Sequence, residues 1–286
     1  MAGLRVSPPR IFPAASRASR PPAEAAGAAD AYRQASFVLG DEIDVILRGL
    51  NLEGAIAEAS RGAKFRNQVV ASSLAFWSRS WLARLQALHA VEWGNYMAAF
   101  PLVRSAVDYQ AAGAAMVQSD AAEWVEWLED GGIAPAHAEH ATEFRLHSYR
   151  AAEVIAADEV LASIYRVSSD FAMPHFGATL ALVASESTPD RVLVTFGDRD
   201  FHVALAELVI GWLAALSSAQ LGAATESGVF GVDEPERVER VRDEIHKLLG
   251  RRDRCRIEEI ERDAERRYLV HNWRRSPGSA AKRLLL

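Results

Sequence analysis

Cysteine is almost missing from this chain. Its one copy, Cys255, lies in a charged stretch, which excludes a disulfide framework, a Cys-rich zinc site and a CxxC redox motif. A reducing cytoplasm is the expected setting. No uninterrupted run of about 18 apolar residues appears, which argues against a membrane span. The opening "MAGLRVSPPRIFPAASRASRPPAEAAGAAD" lacks the apolar stretch of a signal peptide. Its Pro, Ala and Arg content predicts a disordered or loosely draped arm over residues 1–30, although an Arg-rich, acid-poor start also fits a transit peptide. Missing too are an internal repeat, a Gly-rich phosphate loop and a GxSxG nucleophile elbow.

What remains is ordinary globular material. The chain has 286 residues, half of them hydrophobic, and a mean hydropathy of -0.04, enough for a sizeable core. Charge is uneven. The overall balance is -6, yet residues 235–286 carry 15 Lys and Arg against 10 Asp and Glu. The end "HNWRRSPGSAAKRLLL" has four Lys and Arg and no acid. Such a tail can meet phosphate or an acidic partner, but an acidic chain is not built as a general nucleic-acid binder.

Helical periodicity runs through most of the sequence. In "DEIDVILRGL" residues Ile43, Ile46, Leu47 and Leu50 fall at helical spacing, and Val70, Leu74, Trp77, Trp81, Leu85, Leu88 and Trp93 continue it in a long core helix. Pro101 suits the first turn of the next helix, and Ser119 or Asp120 can cap the one through "AAEWVEWLEDGG". The stretch 134–167 reads as one or two further helices, and "DFHVALAELVIGWLAALSSAQLGAA" as a buried one. "RVLVTF", Arg191 to Phe196, is the one convincing strand. The expected fold is therefore all-α, a bundle of about seven to nine helices with one short β excursion near 191–196. Residues 31–232 form the helical core domain, 233–273 a charged C-terminal helix or helix pair capped by Asp233 with Pro235 in its first turn, and 274–286 a basic tail.

One helix carries charges with no wet face to hold them. In "FPLVRSAVDYQAAGAAM", Arg104 and Asp108 share a stripe with Ala111 and Ala115. Two readings follow. The pair either staples the core or belongs to a pocket, at least half buried, in which Arg104 holds an anionic group and Asp108 orients the arginine or a base. A second feature fits the pocket. In "IYRVSSDFAMPHFGATLALV", Pro174 forces Met173 into an extended conformation and places His175 at the start of a helix, where a neutral imidazole can act as general acid or base.

The order of these parts, with the Trp-rich helix, "PLVRSAVDYQAA", "YRVSSDFAMPHFGATLAL", a short strand and a long apolar helix, resembles an uncharacterised family of all-helical bacterial proteins. That family has an Arg-x3-acid helix followed by a Ser and His turn, and is distantly similar to the higher-eukaryote and prokaryote nucleotide-binding (HEPN) superfamily. The likeness covers roughly residues 71–224 and implies Arg104, Asp108, Ser169 and His175 as site positions, with a link to RNA processing or defence. Ribonucleases of that superfamily carry Arg-x4-6-His. Arg84 to His89, Arg240 to His246 and Arg266 to His271 all match, in a chain rich enough in arginine that the motif alone discriminates nothing. Arg266 and His271, in the basic terminal segment, are the best placed as ligand-binding residues.

One further cluster reads as a polar helix face. "HAEHATEFRLH" puts His137, His140, Glu143 and His147 on one arc, but Phe144 shares it, so no metal is expected there. No other cofactor is implied. Two functions remain open. The first is an anion- or nucleotide-directed site at Arg104, Asp108 and His175, taking a small anionic ligand or RNA. The second is a non-catalytic interaction or scaffold protein, a homodimer for example, in which the Arg/Asp pair is structural.

Overall fold

A computed structural model of the chain describes residues 14–60, 67–135, 142–149, 151–184, 187–197, 199–262 and 264–286. Among the described residues there are ten helices: α1 Ala26–Val38, α2 Gly40–Ala59, α3 Gln68–Glu92, α4 Tyr96–Gln118, α5 Ala122–Glu129, α6 Ala152–Ala157, α7 Glu159–Ala172, α8 Phe176–Val183, α9 Val203–Glu226 and α10 Pro235–Leu249. Five short strands accompany them: β1 Ile133–Pro135, β2 Thr142–Phe144, β3 Arg256–Arg262, β4 Glu265–Trp273 and β5 Lys282–Leu285. The protein is mostly helical with a small β component, as the periodicity requires.

The bundle is organised by α9. Its sequence is apolar all round, and α2, α3, α4, α7 and α10 pack on it. By length and composition α9 is long and apolar enough to cross a membrane, but 83% of its most apolar window is buried inside the fold. The antiparallel α3–α4 pair forms the longest packed interface, and α7 covers the other side of α4. Polar caps begin these helices: Asn67 on α3, Asn95 on α4 and Asp158 on α7 each accept backbone N–H groups. The α3–α4 turn depends on Gly94, whose φ of +68° suits glycine, and an added Cβ would stand 2.6 Å from the Arg199 carbonyl oxygen.

His202 begins α9, its Nδ1 accepting the Leu205 N–H at 3.4 Å. Burial and then the nearby Arg275 charge lower its pKa to about 4. The unfolded imidazole protonates near 6.5, so this residue's contribution to stability is complete above that pH and is lost as pH falls toward 4. A shift of this size corresponds to about 3 kcal/mol. His202→Asn keeps a capping side chain and removes the titration. Urea unfolding between pH 7 and 4.5 is expected to show a shallower loss of stability in the variant; equal slopes would remove His202 from the acid response.

Several expectations need correction. The chain between 14 and 25 is held rather than draped. The Ala15 N–H donates to Asn51 Oδ1 at 2.6 Å, Ala18 N–H to Glu92 Oε2 at 2.7 Å, and Arg17 Nε to Glu92 Oε1 at 3.0 Å. Residues 1–13 lie outside the described residues. Pro101 sits inside α4, which Asn95 caps six residues earlier. Neither Ser119 nor Asp120 caps α5, because the Ser119 hydroxyl donates back to the Ala115 carbonyl at 2.8 Å. Likewise α10 has no side-chain cap from Asp233, although Pro235 does occupy its first turn.

The largest difference is at the C-terminus. The expected helix or helix pair over 233–273 stops at Leu249, and β3, β4 and β5 form an antiparallel sheet in the order β3-β4-β5. The basic tail joins this sheet as β5, and Leu286 exchanges two 2.9 Å backbone hydrogen bonds with Tyr268. Alternating charge is satisfied as well across a hairpin as along a helix. The deciding signal is the period of two that buries Tyr268 and Val270. At 191–196 the reverse holds: Arg191 bridges only to Thr188, and the following residues pair with no strand among the described residues.

Candidate functional site

Three of the site positions suggested by the sequence, Arg104, Asp108 and Ser169, meet on the α4–α7 interface. Arg104 and Ser169 come together: Arg104 Nε donates to Ser169 Oγ at 3.1 Å. Its Nη2 donates to the Tyr165 hydroxyl at 3.0 Å, and the guanidinium carbon stands 5.2 Å from the centre of the Tyr165 ring. Asp108, one turn along α4, approaches Nη2 only to 4.0 Å. Both side chains are a little more than half buried, with 43% and 41% of their surfaces exposed. Partial desolvation raises the Asp108 pKa above the ordinary aspartate value, and the Arg104 charge pulls against it. The Tyr165 bond holds Arg104 firmly protonated.

Sequence reasoning named Arg104, Asp108 and Ser169 but missed Tyr165. Its signal was available, since Tyr165 and Ser169 are i,i+4 on α7 and so share a face. His175 is where Pro174 puts it. Met173 is extended, with φ -85° and ψ 159°, and His175 occupies the N-cap position of α8. Its partner is not Asp108. His175 Nε2 lies 3.7 Å from Oδ1 of Asp170, the residue after Ser169, and Asp170 Oδ2 accepts the Tyr268 hydroxyl at 2.6 Å. Burial, reinforced by that Asp170 bond, raises the Tyr268 pKa. Two small polar groups therefore stand on successive residues of α7: Arg104, Asp108 and Tyr165 around Ser169, and His175 and Tyr268 around Asp170.

The other candidates do not join this cluster. Arg266 and His271 are on β4, five residues apart and thus on opposite faces of a strand. Arg266 Nε binds Glu259 Oε1 at 3.0 Å on one face, and His271 Nε2 lies 2.8 Å from Glu258 Oε2 on the other. They do not form one site. Arg84 is wholly buried in an ion pair, while His89 Nε2 meets the Ser16 carbonyl at 2.8 Å. His246 contacts the Ser218 hydroxyl, and Arg240 lies on the exposed face of α10. The expected His-rich helix face is not a helix: Glu143 lies in β2, and His147 pairs with Glu123 Oε1 at 2.9 Å. His137 and His140 lie outside the described residues. Among the described residues there is no group of three metal-ligating side chains.

The buried charges lie elsewhere. Glu53 on α2 and Arg84 on α3 are both fully buried, and their bidentate pair is completed by Trp77 Nε1 and the Ser217 hydroxyl, each 2.7 Å from the carboxylate. Glu42 is bound by Arg251 and Arg254, Glu207 by Arg274 and the Cys255 amide, and Glu92 by Arg17. Four buried glutamates thus tie the helices, the N-terminal strap and the C-terminal sheet together. Comparison of the chain with protein-family models, curated proteins and solved structures gives no match.

Proposed function

We propose that the α4–α7 face binds a small anionic group, with Arg104 as its anchor. The observation that carries this reading is the state of the guanidinium. Its Nε and Nη2 are fixed by Ser169 and Tyr165, while Nη1 has no hydrogen-bond partner among the described residues and the side chain is open to solvent. A planar guanidinium held by two neutral hydroxyls and offering a free edge suits a carboxylate or phosphate oxygen. The competing role, that of core staple, is filled by the Glu53–Arg84 pair and its three counterparts.

In this reading Asp108, one turn along α4 from the anchor and with its pKa raised by desolvation, is the group able to take or give a proton beside the bound anion, while His175 and Asp170 form the adjoining polar group. Phosphate is the simplest ligand of this chemistry. A nucleotide or an RNA backbone is the natural elaboration, in keeping with the likeness to nucleotide-binding helical proteins carried by Arg104, Asp108, Ser169 and His175.

Isothermal titration of the full chain with inorganic phosphate, AMP and a short single-stranded RNA tests the reading. Saturable binding of at least one probe is expected, weakened at least tenfold by Arg104→Met, equivalent to about 1.4 kcal/mol. Ser169→Ala is expected to weaken it less, since Tyr165 still orients the guanidinium. No binding of any probe, or equal binding by the wild type and Arg104→Met, would rule the site out.

A further inference from the structure

Helix α5 buries none of its residues, yet it carries Trp124 and Trp127. Three residues apart, the two indoles share one side of the helix, with ring centres 5.4 Å apart and planes tilted by 47°. Phe76 on α3 supports the arrangement from behind: its ring centre is 6.3 Å from that of Trp124 and 5.5 Å from that of Tyr149. The returning chain closes the far side. The Arg145 N–H donates to the Gly132 carbonyl at 2.9 Å, and Trp127 Nε1 donates to the Arg145 carbonyl at 3.1 Å. A Cβ at position 132 would overlap the Trp127 indole, so Gly132 lets the ring lie against the backbone.

Trp124, Trp127 and Tyr149, each partly open to solvent, line a cavity of about 180 Å³ with Glu123 beside them. Sites for drug-sized molecules run to roughly 300–1,000 Å³, so this one has room for a head group. An adjoining cleft of about 630 Å³ shares Trp127 and Tyr149 and adds Glu126 and Asp130. Charge here is mostly of one sign. Glu123 gives one oxygen to His147 Nε2 at 2.9 Å, and its other oxygen has no hydrogen-bond partner among the described residues. The side chains of Glu126 and Asp130 are in no ion pair among them. Arg145 turns its Nη1 to the Asp130 carbonyl at 2.7 Å. Burial and then the charges of Glu123 and Glu153 raise the Tyr149 pKa, so a negative field reaches that ring.

We infer that the aromatic box of Trp124, Trp127 and Tyr149 binds a small quaternary ammonium ion of the choline type. Ring faces attract a cation without offering it a hydrogen bond. A primary ammonium has three N–H donors to satisfy and would leave them unmet against the rings. A trimethylammonium group has none, and it removes its methyl groups from water as its charge meets the π-faces. The carboxylates of Glu123, Glu126 and Asp130 draw cations to the opening. This ligand is opposite in charge to the one proposed for Arg104, and the two sites share no residue.

The test is isothermal titration of the full chain with choline chloride at low ionic strength, where saturable binding at one site is expected. Two further probes on the wild type separate the parts of the ligand. Ammonium chloride keeps the charge without the methyl groups, and the neutral alcohol dimethylbutanol keeps the shape without the charge. Each is expected to bind at least tenfold more weakly than choline. Trp127→Leu keeps an apolar side chain but has no π-face, and is expected to weaken choline binding at least tenfold with far-UV circular dichroism unchanged. Glu123→Gln is expected to weaken it less, because Glu126 and Asp130 remain. No saturable choline binding, ammonium or dimethylbutanol binding as tight as that of choline, or an unchanged choline affinity in a folded Trp127→Leu would overturn the inference. The comparison of probes needs no variant, so it decides the matter even where a substitution disturbs α5.

Discussion

Arg84→Met is expected to lower the unfolding free energy by about 3–5 kcal/mol, because it strands a buried carboxylate. Glu53 has both oxygens committed, with Arg84 Nη1 on Oε1 at 2.7 Å and Nη2 on Oε2 at 2.5 Å. Trp77 and Ser217 donate to the same two oxygens. These neutral donors do not replace a guanidinium inside the bundle. The loss reads directly as a shift in the midpoint of urea unfolding with an unchanged slope. Glu53→Gln is expected to cost a similar amount, since it leaves the arginine uncompensated. The double variant Arg84→Met, Glu53→Gln is expected to be more stable than the sum of the two single changes predicts, because no lone charge remains buried. Simple additivity would mean that the two side chains act separately.

Glu207→Ala is expected to loosen the C-terminal sheet and cost a further amount of about 3–5 kcal/mol. Glu207 on α9 accepts the Cys255 N–H on Oε2 at 2.8 Å and Arg274 Nη2 on Oε1 at 2.7 Å. Its carbonyl accepts Arg254 Nη2 at 2.6 Å. One side chain therefore joins the central helix to the strand that Cys255 precedes and to the segment after β4. The sole cysteine reports the change. In the wild type Cys255 is buried, and burial followed by the Glu207 charge pushes its thiol up to about 12, so it stays protonated and shielded. In Glu207→Ala a thiol-specific reagent is expected to label Cys255 under native conditions at least tenfold faster, a gain of about 1.4 kcal/mol in accessibility. A variant that keeps both its stability and its inert thiol would show that the sheet is held by other contacts.

Of the residues in these two predictions, sequence reasoning shows Arg84 only as part of a non-discriminating Arg-x4-His match, and Glu53 and Glu207 not at all. A charge on an apolar helix is a signal at Arg104, and the same signal stands at Glu53 in "LNLEGAIA" and at Arg84 in "WLARLQAL". Those pairs join residues far apart in the chain, so local spacing shows each charge without its partner. The i,i+4 relation made Arg104 and Asp108 visible as a pair, while the three-dimensional packing places them 4.0 Å apart and half open. Helices α2 and α3 were legible because burial on one face imposes the 3.6-residue period on them, and α9 because a long stretch apolar all round reads as a buried helix. The effect of Pro174 on Met173 and His175 was legible because it is a local steric rule. The C-terminal hairpin was hidden because Arg and Glu dominate it and suit either period. The strand signal at 191–196 reflects real β-propensity, which becomes a strand only where a partner edge is supplied.

The central claim is that Arg104 is held for a ligand and is not a core staple. Equilibrium urea unfolding of Arg104→Met beside Arg84→Met tests it most directly, in the absence of any anion. The expected result is a loss within about 1 kcal/mol for Arg104→Met, as for a partly exposed ion pair, against about 3–5 kcal/mol for Arg84→Met. A loss at Arg104 as large as that at Arg84 would contradict the account and make the α4 arginine part of the scaffold.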